Sequence, residues 1–319
     1  MADSLHLVDP ALRDLLAMWP HVELTDETLP LLRSPIRLPI GDDPATIAAV
    51  DSRTHVAPGP DAAPDLALLS YRPKDADGAL PCIFHIHGGG YVGGSAASLA
   101  PIHRAMVLDL RCMLVSIDYR LAPETPFPGA IEDCYAGLRW LFHQVDALGV
   151  DPRRIGVMGE SAGGGLAAAL ALLVRDRGDL SLAFQQLIYP MLDDRTCVAR
   201  DPHPFAGEFI WTQQSNAFGW AALLGHAPGS DDVSPYAAAA RATDLSGLPS
   251  TFVSCGALDL FLEEDIDYAR RLTRAGVPTE LHVYPGAYHG FTIAPAAAVA
   301  QQARRDNLEA LRRFLHPDG

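Results

Sequence analysis

Gly156-Val157-Met158-Gly159-Glu160-Ser161-Ala162-Gly163-Gly164-Gly165 is a short apolar run that stops at a serine, after which an alanine-rich segment begins. It reads as strand, sharp turn and helix. Glycines at 159 and 163 carry no Cβ, so the chain can turn tightly and hold the serine in a strained, outward-facing conformation. The segment Leu166 to Val174 is apolar on every side, which predicts a helix buried between a sheet and an outer layer. Arg175 and Arg177 sit near its negative end and Gly178 stops it. Such a helix points its positive N-terminus at Ser161, leaving the Ala162 N–H free to face negative charge developing beside the serine.

A second glycine-rich motif, His87-Gly88-Gly89-Gly90, lies upstream. A bare Gly-x-Ser-x-Gly arises often by chance in a glycine-rich chain, but paired with such a loop it signals nucleophilic acyl chemistry. The loop is the type that supplies further N–H donors to a carbonyl oxygen as it becomes anionic.

At 319 residues, 49% of them hydrophobic, the chain can bury one large core, and we expect one domain carrying a cap. Lys plus Arg number 24 against 39 Asp plus Glu, for a net charge of −15. With no basic run to offset that field, nucleic acid and anionic membrane are excluded as expected partners. The N-terminus, Met1-Ala2-Asp3-Ser4-Leu5-His6, lacks a basic region followed by an apolar stretch, and no long apolar run occurs elsewhere. The five cysteines, Cys82, Cys112, Cys134, Cys197 and Cys255, are scattered through apolar patterns without a Cys-x-x-Cys pair. Buried reduced thiols in a cytoplasmic protein are the expectation.

Residues 1–45 hold two short helical patterns, around Pro10 to Trp19 and Asp26 to Leu32, broken by Pro20, Pro30, Pro35 and Pro39. Leu15, Leu16, Met18 and Trp19 are available to line something apolar or simply to pack as an arm. Strand patterns then follow at Ala48–Val56, Leu66–Tyr71, Cys82–Ile86, Cys112–Ile117, Ile155–Met158, Phe184–Ile188, Thr251–Cys255 and Glu280–Tyr284. From the third onward most are separated by helical segments, the rhythm of a mostly parallel sheet covered on both faces. One such segment runs from Gly129 to Gly149, with Ile131, Cys134, Tyr135, Leu138, Leu141, Phe142, Val145 and Leu148 on one face.

With His87-Gly88-Gly89-Gly90-Tyr91, the proline-rich loop Asp118 to Pro128 and Gly159-Glu160-Ser161-Ala162-Gly163-Gly164, the chain resembles the hormone-sensitive-lipase-like esterases over roughly residues 65 to 315. The resemblance implies an α/β-hydrolase fold, an eight-stranded mostly parallel sheet flanked by helices with a helical cap. It also implies a carboxylic-ester hydrolase with a Ser-Asp-His triad and no cofactor. Its cap would combine residues 1–45 with an insertion at 190–236, leaving a core of 46–189 and 237–319. The insertion leaves the strand-helix rhythm and offers one aromatic helical segment, Phe209 to Leu224.

A serine hydroxyl needs a base to take its proton and a carboxylate to orient that base. His289, in Tyr284-Pro285-Gly286-Ala287-Tyr288-His289-Gly290-Phe291, alone of the 12 histidines follows the last strand where a loop can return over Ser161. Asp259, after the seventh strand and 30 residues before His289, is the expected acid. The family usually places proline after this aspartate, where this chain has Leu260. Glu263, Glu264 and Asp265 read as first-turn charges of the next helix, and Asp193 and Asp194 as outside candidates. Gly88, Gly89 and Ala162 are the expected oxyanion donors. Tyr91, Glu160, Tyr189, Phe209, Trp211 and Tyr288 are the candidate substrate-binding residues.

His85 and His87 alternate on one strand but have no third ligand at metal spacing, so no metal is expected. The glycine-rich stretch 88 to 94 lacks a Lys-Ser/Thr pair for phosphate. The expected partner is a small ester with short to medium acyl chain, with a homodimer the only protein partner considered. An amidase or carbamate hydrolase using the same triad remains open, as does a non-catalytic small-molecule receptor, against which an intact His289 argues.

Overall fold

Eight strands form at the eight strand patterns of the sequence, and all pair into one sheet. The computed structural model describes residues 3–18, 22–34, 41 and 43–317. Its strands are β1 (Val50–Ala57), β2 (Leu66–Pro73), β3 (Leu80–Ile86), β4 (Met113–Asp118), β5 (Val150–Glu160), β6 (Phe184–Ile188), β7 (Ser250–Gly256) and β8 (Thr279–Tyr284). The helices are α1 (Arg13–Met18), α2 (Leu29–Leu32), α3 (Pro44–Ala49), α4 (Ala100–Leu110), α5 (Gly129–His143), α6 (Val145–Leu148), α7 (Ala162–Arg177), α8 (Gln213–Leu224), α9 (Leu262–Arg274) and α10 (Ala298–Leu315). Strand order is β1-β2-β4-β3-β5-β6-β7-β8. β2 is antiparallel to both its neighbours, and every pairing from β4 to β8 is parallel.

Parallel strands joined by crossover helices lose water on both faces, and β3 and β6 are buried along their whole length. On one face Phe84, Ile86, Val115 and Val157 share a core with α5 and α7. On the other, Ile83, Leu114, Met158 and Phe184 pack with residues of α4 and α10. The α7 residues from Ala162 through Val174 are all buried, as an all-round apolar helix requires, and Gly178 ends it in the left-handed conformation.

Several boundaries differ from the sequence pattern, among them the start of β5, at Val150 and not at Ile155. β1 starts at Val50 because Asp43 accepts the Thr46 N–H and Pro44 fills the first helical position, so Ala48 and Ala49 belong to α3. The Gly129–Gly149 segment divides at Gln144 into α5 and α6. The aromatic segment becomes helical only at Gln213, where the Thr212 side chain accepts the Ser215 N–H; Phe209, Ile210 and Trp211 lie in the loop before it. Trp19, Pro20, Pro35 and Pro39 fall outside the described residues. Among the described residues no helix is long and apolar enough to cross a membrane.

Candidate active site

β5 ends at Glu160, Ser161 takes φ 57° and ψ −123°, and α7 begins at Ala162. A φ in that range is costly for a side-chain-bearing residue and is held here by close backbone approach. The Ser161 N–H donates to Ile188 O (2.9 Å), and its carbonyl accepts from Met191 N (2.9 Å) and Gly165 N (3.0 Å). Gly163 lies so close to the end of β3 that a Cβ there would stand 2.0 Å from Ile86 O. The motif's glycine is thus required by contact as well as by the turn.

The loop after β8 brings His289 to the serine: Ser161 Oγ and His289 Nε2 are 2.9 Å apart. The loop after β7 brings Asp259, whose Oδ2 lies 2.8 Å from His289 Nδ1. Its other oxygen accepts the Phe261 N–H at 3.0 Å. Asp259 is fully buried while Ser161 and His289 are 8% and 6% exposed, so only the nucleophile end of the relay faces outward. The imidazole is packed edge-on by Phe261 and Tyr189, at ring separations of 5.1 and 4.9 Å.

Beside Ser161, Gly88 is near enough that a Cβ would lie 3.3 Å from the serine Cβ. Among the described residues no acceptor meets the N–H groups of Gly88, Gly89 or Ala162. Unpaired amides converging at a helix N-terminus are suited to an incoming anion.

The other acids do other work. Asp194 is buried against Arg241 (2.8 and 2.9 Å) and accepts the Gly229 N–H (2.6 Å). Asp193 pairs with Arg195. Glu263, Glu264 and Asp265 do occupy the first turn of α9, yet only Glu263 is exposed. Glu264 accepts from the Leu192 and Asp193 N–H groups and the Thr196 hydroxyl, tying α9 to the loop after β6. Burial holds its pKa well above the usual carboxylate range.

Of the candidate binding residues, Tyr91 and Tyr288 are fully buried, and their hydroxyls donate to Met191 O and Leu12 O. They shape the site from behind and offer substrate no polar group. Glu160 Oε2 is 2.9 Å from His85 Nε2, and Tyr189 bonds the Thr292 hydroxyl. Trp211 lies on Gly90 of the loop after β3, where a Cβ would be 2.2 Å from its ring, and 6.3 Å from the His289 ring centroid. Phe209 is 6.0 Å from Tyr288, ring to ring. His87 stacks on Tyr119, and burial pushes its pKa down to about 4. Among the described residues no group of three His, Cys, Asp or Glu side chains is arranged for a metal.

Sequence reasoning missed the N-terminal contacts. Ser4 donates its N–H and hydroxyl to Glu208, and Asp9 N donates to Gly286 O in the histidine loop. Leu24 N donates to the Ser215 hydroxyl at the start of α8, and Arg33 donates to Val92 O and pairs with Glu124. Only the expectation that residues 1–45 form part of a cap hinted at this; polar bonds over such sequence distances leave no periodic signal.

A serine at a strained strand-to-helix turn, an acid after β7 and a histidine after β8 define a nucleophilic α/β hydrolase. The family profile for the alpha/beta hydrolase fold matches residues 83–293, and the chain belongs to that family. It is 33% identical to carboxylesterase NlhH of Mycobacterium tuberculosis, over 97% of both chains. Its structure resembles a bacterial heroin esterase at a TM-score of 0.87, with 37% identity over 98% of this chain and 99% of that one. Esterase LipW from Mycobacterium marinum follows at 0.84 and 31%, over 99% and 98%.

Proposed function

We propose that this protein is a carboxylic-ester hydrolase in which Ser161 is the nucleophile, His289 the general base and acid, and Asp259 the residue that orients and stabilises His289. The observation that carries the reading is the unbroken chain of hydrogen bonds from Ser161 Oγ through His289 to buried Asp259. The esterase names of the full-length relatives support it. Ser161 Oγ attacks the ester carbonyl carbon while its proton passes to His289 Nε2. The carbonyl oxygen becomes anionic and is met by the N–H groups of Gly88, Gly89 and Ala162. The C–O bond to the alcohol then breaks as His289 returns the proton to the leaving alkoxide. Water repeats the sequence on the acyl-enzyme and releases the acid.

In our reading the insertion at 190–236, with residues 1–45, forms the cap. Trp211 and Phe209 limit the acyl slot, so short to medium chains are the preferred substrates. The five free, buried thiols suit a reducing compartment, and we place the protein in the cytoplasm. A homodimer would use the open edge of β8, where Leu281 and Val283 are exposed; light scattering reads that directly.

The test is hydrolysis of p-nitrophenyl butyrate together with labelling by a fluorophosphonate. Wild type is expected to turn over and to be labelled at Ser161, and Ser161→Ala to lose both, with a rate loss on the order of 10⁴ or more. Residual activity within tenfold in Ser161→Ala, or activity abolished by chelation and restored by a divalent ion, overturns the serine mechanism. Turnover of an anilide in preference to the matching ester favours the amidase.

A further inference from the structure

The oxyanion hole is assembled from two strands: Gly88 and Gly89 follow β3, and Ala162 follows β5. The backbone ladder between these strands ends at the pair Ile86 and Gly159, one residue short of the loop on one side and two short of the nucleophile on the other. Beyond that point the two halves meet by close backbone approach at Gly88 and Gly163, and a side-chain strap joins their strands. His85, fully buried on β3, stands in register with Ser116 on β4 and Met158 on β5. Its Nδ1 lies 2.8 Å from the Ser116 hydroxyl and its Nε2 2.9 Å from Glu160 Oε2. Glu160 is the last residue of β5, immediately before Ser161. The imidazole therefore straps together β4, β3 and β5 at the edge where the site is built, under α4, whose buried His103 lies 4.3 Å from His85, ring to ring.

We propose that Glu160 is a positioning residue of the oxyanion hole, acting through His85, and not a group that contacts substrate. Gly88 lies against this element so tightly that a Cβ on it would be 2.8 Å from Glu160 O. A change in how Glu160 is held thus moves the Gly88 and Gly89 amides relative to Ala162. The carboxylate accepts from an N–H of His85, which partly offsets its negative charge beside the nucleophile. A carboxylate beside the nucleophile opposes that oxyanion unless it is so occupied.

The proposal rests on the esterase reading, so its test includes a readout apart from turnover. A boronic acid adds to Ser161: the Oγ–B bond forms, the serine proton passes to His289, and the tetrahedral boronate anion sits where the oxyanion would. Glu160→Ala is expected to lower kcat by about 10- to 100-fold with KM within about threefold, because displaced donors act on the transition state. Affinity for phenylboronic acid should fall by a similar factor. Glu160→Gln keeps an acceptor for the His85 N–H and is expected to recover to within about fivefold of wild type on both readouts. Ser116→Ala, which frees the other side of His85, should show a smaller loss with the same signature. Boronate affinity unchanged in Glu160→Ala, a loss confined to KM, or Glu160→Gln as damaged as Glu160→Ala would overturn the proposal. A wild type that binds boronate but hydrolyses no ester would instead count against the esterase reading, and the boronate series would still decide this one.

Discussion

The floor and the roof of the site are held by different kinds of contact. On the floor, around β3, β5 and the start of α7, backbone approaches backbone: a Cβ on Gly159 or Gly163 would stand within 2.2 Å of a carbonyl oxygen. In the roof, side chains do the holding: Ser4 to Glu208, Leu24 N to Ser215, Arg33 to Glu124, and Trp211 laid over Gly90. Backbone contacts leave no room for a larger side chain, whereas side-chain contacts can be exchanged one at a time. The difference teaches that the chemistry is fixed by the floor and that selectivity is adjustable in the roof.

The sharpest test lies among the floor's acids. Asp259→Asn keeps the Phe261 cap but favours the wrong imidazole tautomer, and kcat is expected to fall by about 10⁴ with the fold retained. Asp194→Asn breaks a buried ion pair instead, costing about 3–5 kcal/mol of stability, read by denaturant unfolding, with kcat of the folded fraction nearly unchanged. Exposed Glu263→Gln should alter neither. If Asp194→Asn were the change that abolished turnover, the assignment of the acid would be wrong.

Gly163→Ala tests the floor without touching a reacting group. Its new methyl must displace Ile86 O and His87 O, at 2.0 and 2.6 Å, and so shift the oxyanion loop. We expect about a 10²-fold loss in kcat and a destabilisation of about 1–3 kcal/mol. Activity close to wild type would show that the loop tolerates movement and that the floor is less rigid than the roof.

The sequence made the floor legible because it is written in local motifs. Gly-x-Ser-x-Gly, His-Gly-Gly-Gly and the positions of Asp259 and His289 after consecutive strands follow from the chain order of a parallel sheet. The central strands β3 and β4 were visible as apolar runs because both their faces are buried, whereas the edge strands β1 and β8 are exposed along much of their length and showed only a mixed pattern. The roof was poorly legible. Thr212 starts α8 three residues after the aromatic run begins, so the expected helix at Phe209 is a loop. Tyr91 and Tyr288 looked like pocket residues from their neighbours in sequence, yet Met191 O and Leu12 O claim their hydroxyls. Sequence position showed Glu264 and Asp265 as helix-dipole charges, but only the packing of α9 on β7 shows that they are buried.

Asp265 gives the floor a pH signature independent of catalysis. Both its oxygens are buried beside the Cys255 thiol, and burial, with Glu264 and Asp259 nearby, holds its pKa well above the ordinary carboxylate value. The folded state therefore keeps a proton that the unfolded chain loses near pH 4. Stability from this group is complete below that pH and declines as pH rises toward the folded pKa. Asp265→Asn has no such proton to lose. Its advantage over wild type is expected to be near zero at pH 4 and to grow steadily as the pH is raised toward 8. Parallel unfolding curves at both pH values would show that Asp265 finds a partner when charged.

The roof should yield the smallest and most graded effect. Each methylene an acyl chain buries is worth about 0.8 kcal/mol, near fourfold in kcat/KM, until the slot is full. Further carbons must then stay exposed or displace packed rings, at about 1–3 kcal/mol. With Trp211 seated on Gly90 and Phe209 against Tyr288, we expect kcat/KM for p-nitrophenyl esters to peak between about two and eight acyl carbons. Trp211→Ala removes the ring that lies against Gly90 and leaves the triad's hydrogen bonds in place. Its optimum should move to longer chains by about two carbons or more, with a change of several-fold on each ester and kcat for acetate reduced only slightly. An unchanged profile would mean that Trp211 packs the roof without bounding the acyl slot. A wild-type optimum at twelve or more carbons would mean that the roof opens as a lid, and selectivity would then lie in its motion and not in the size of its rings.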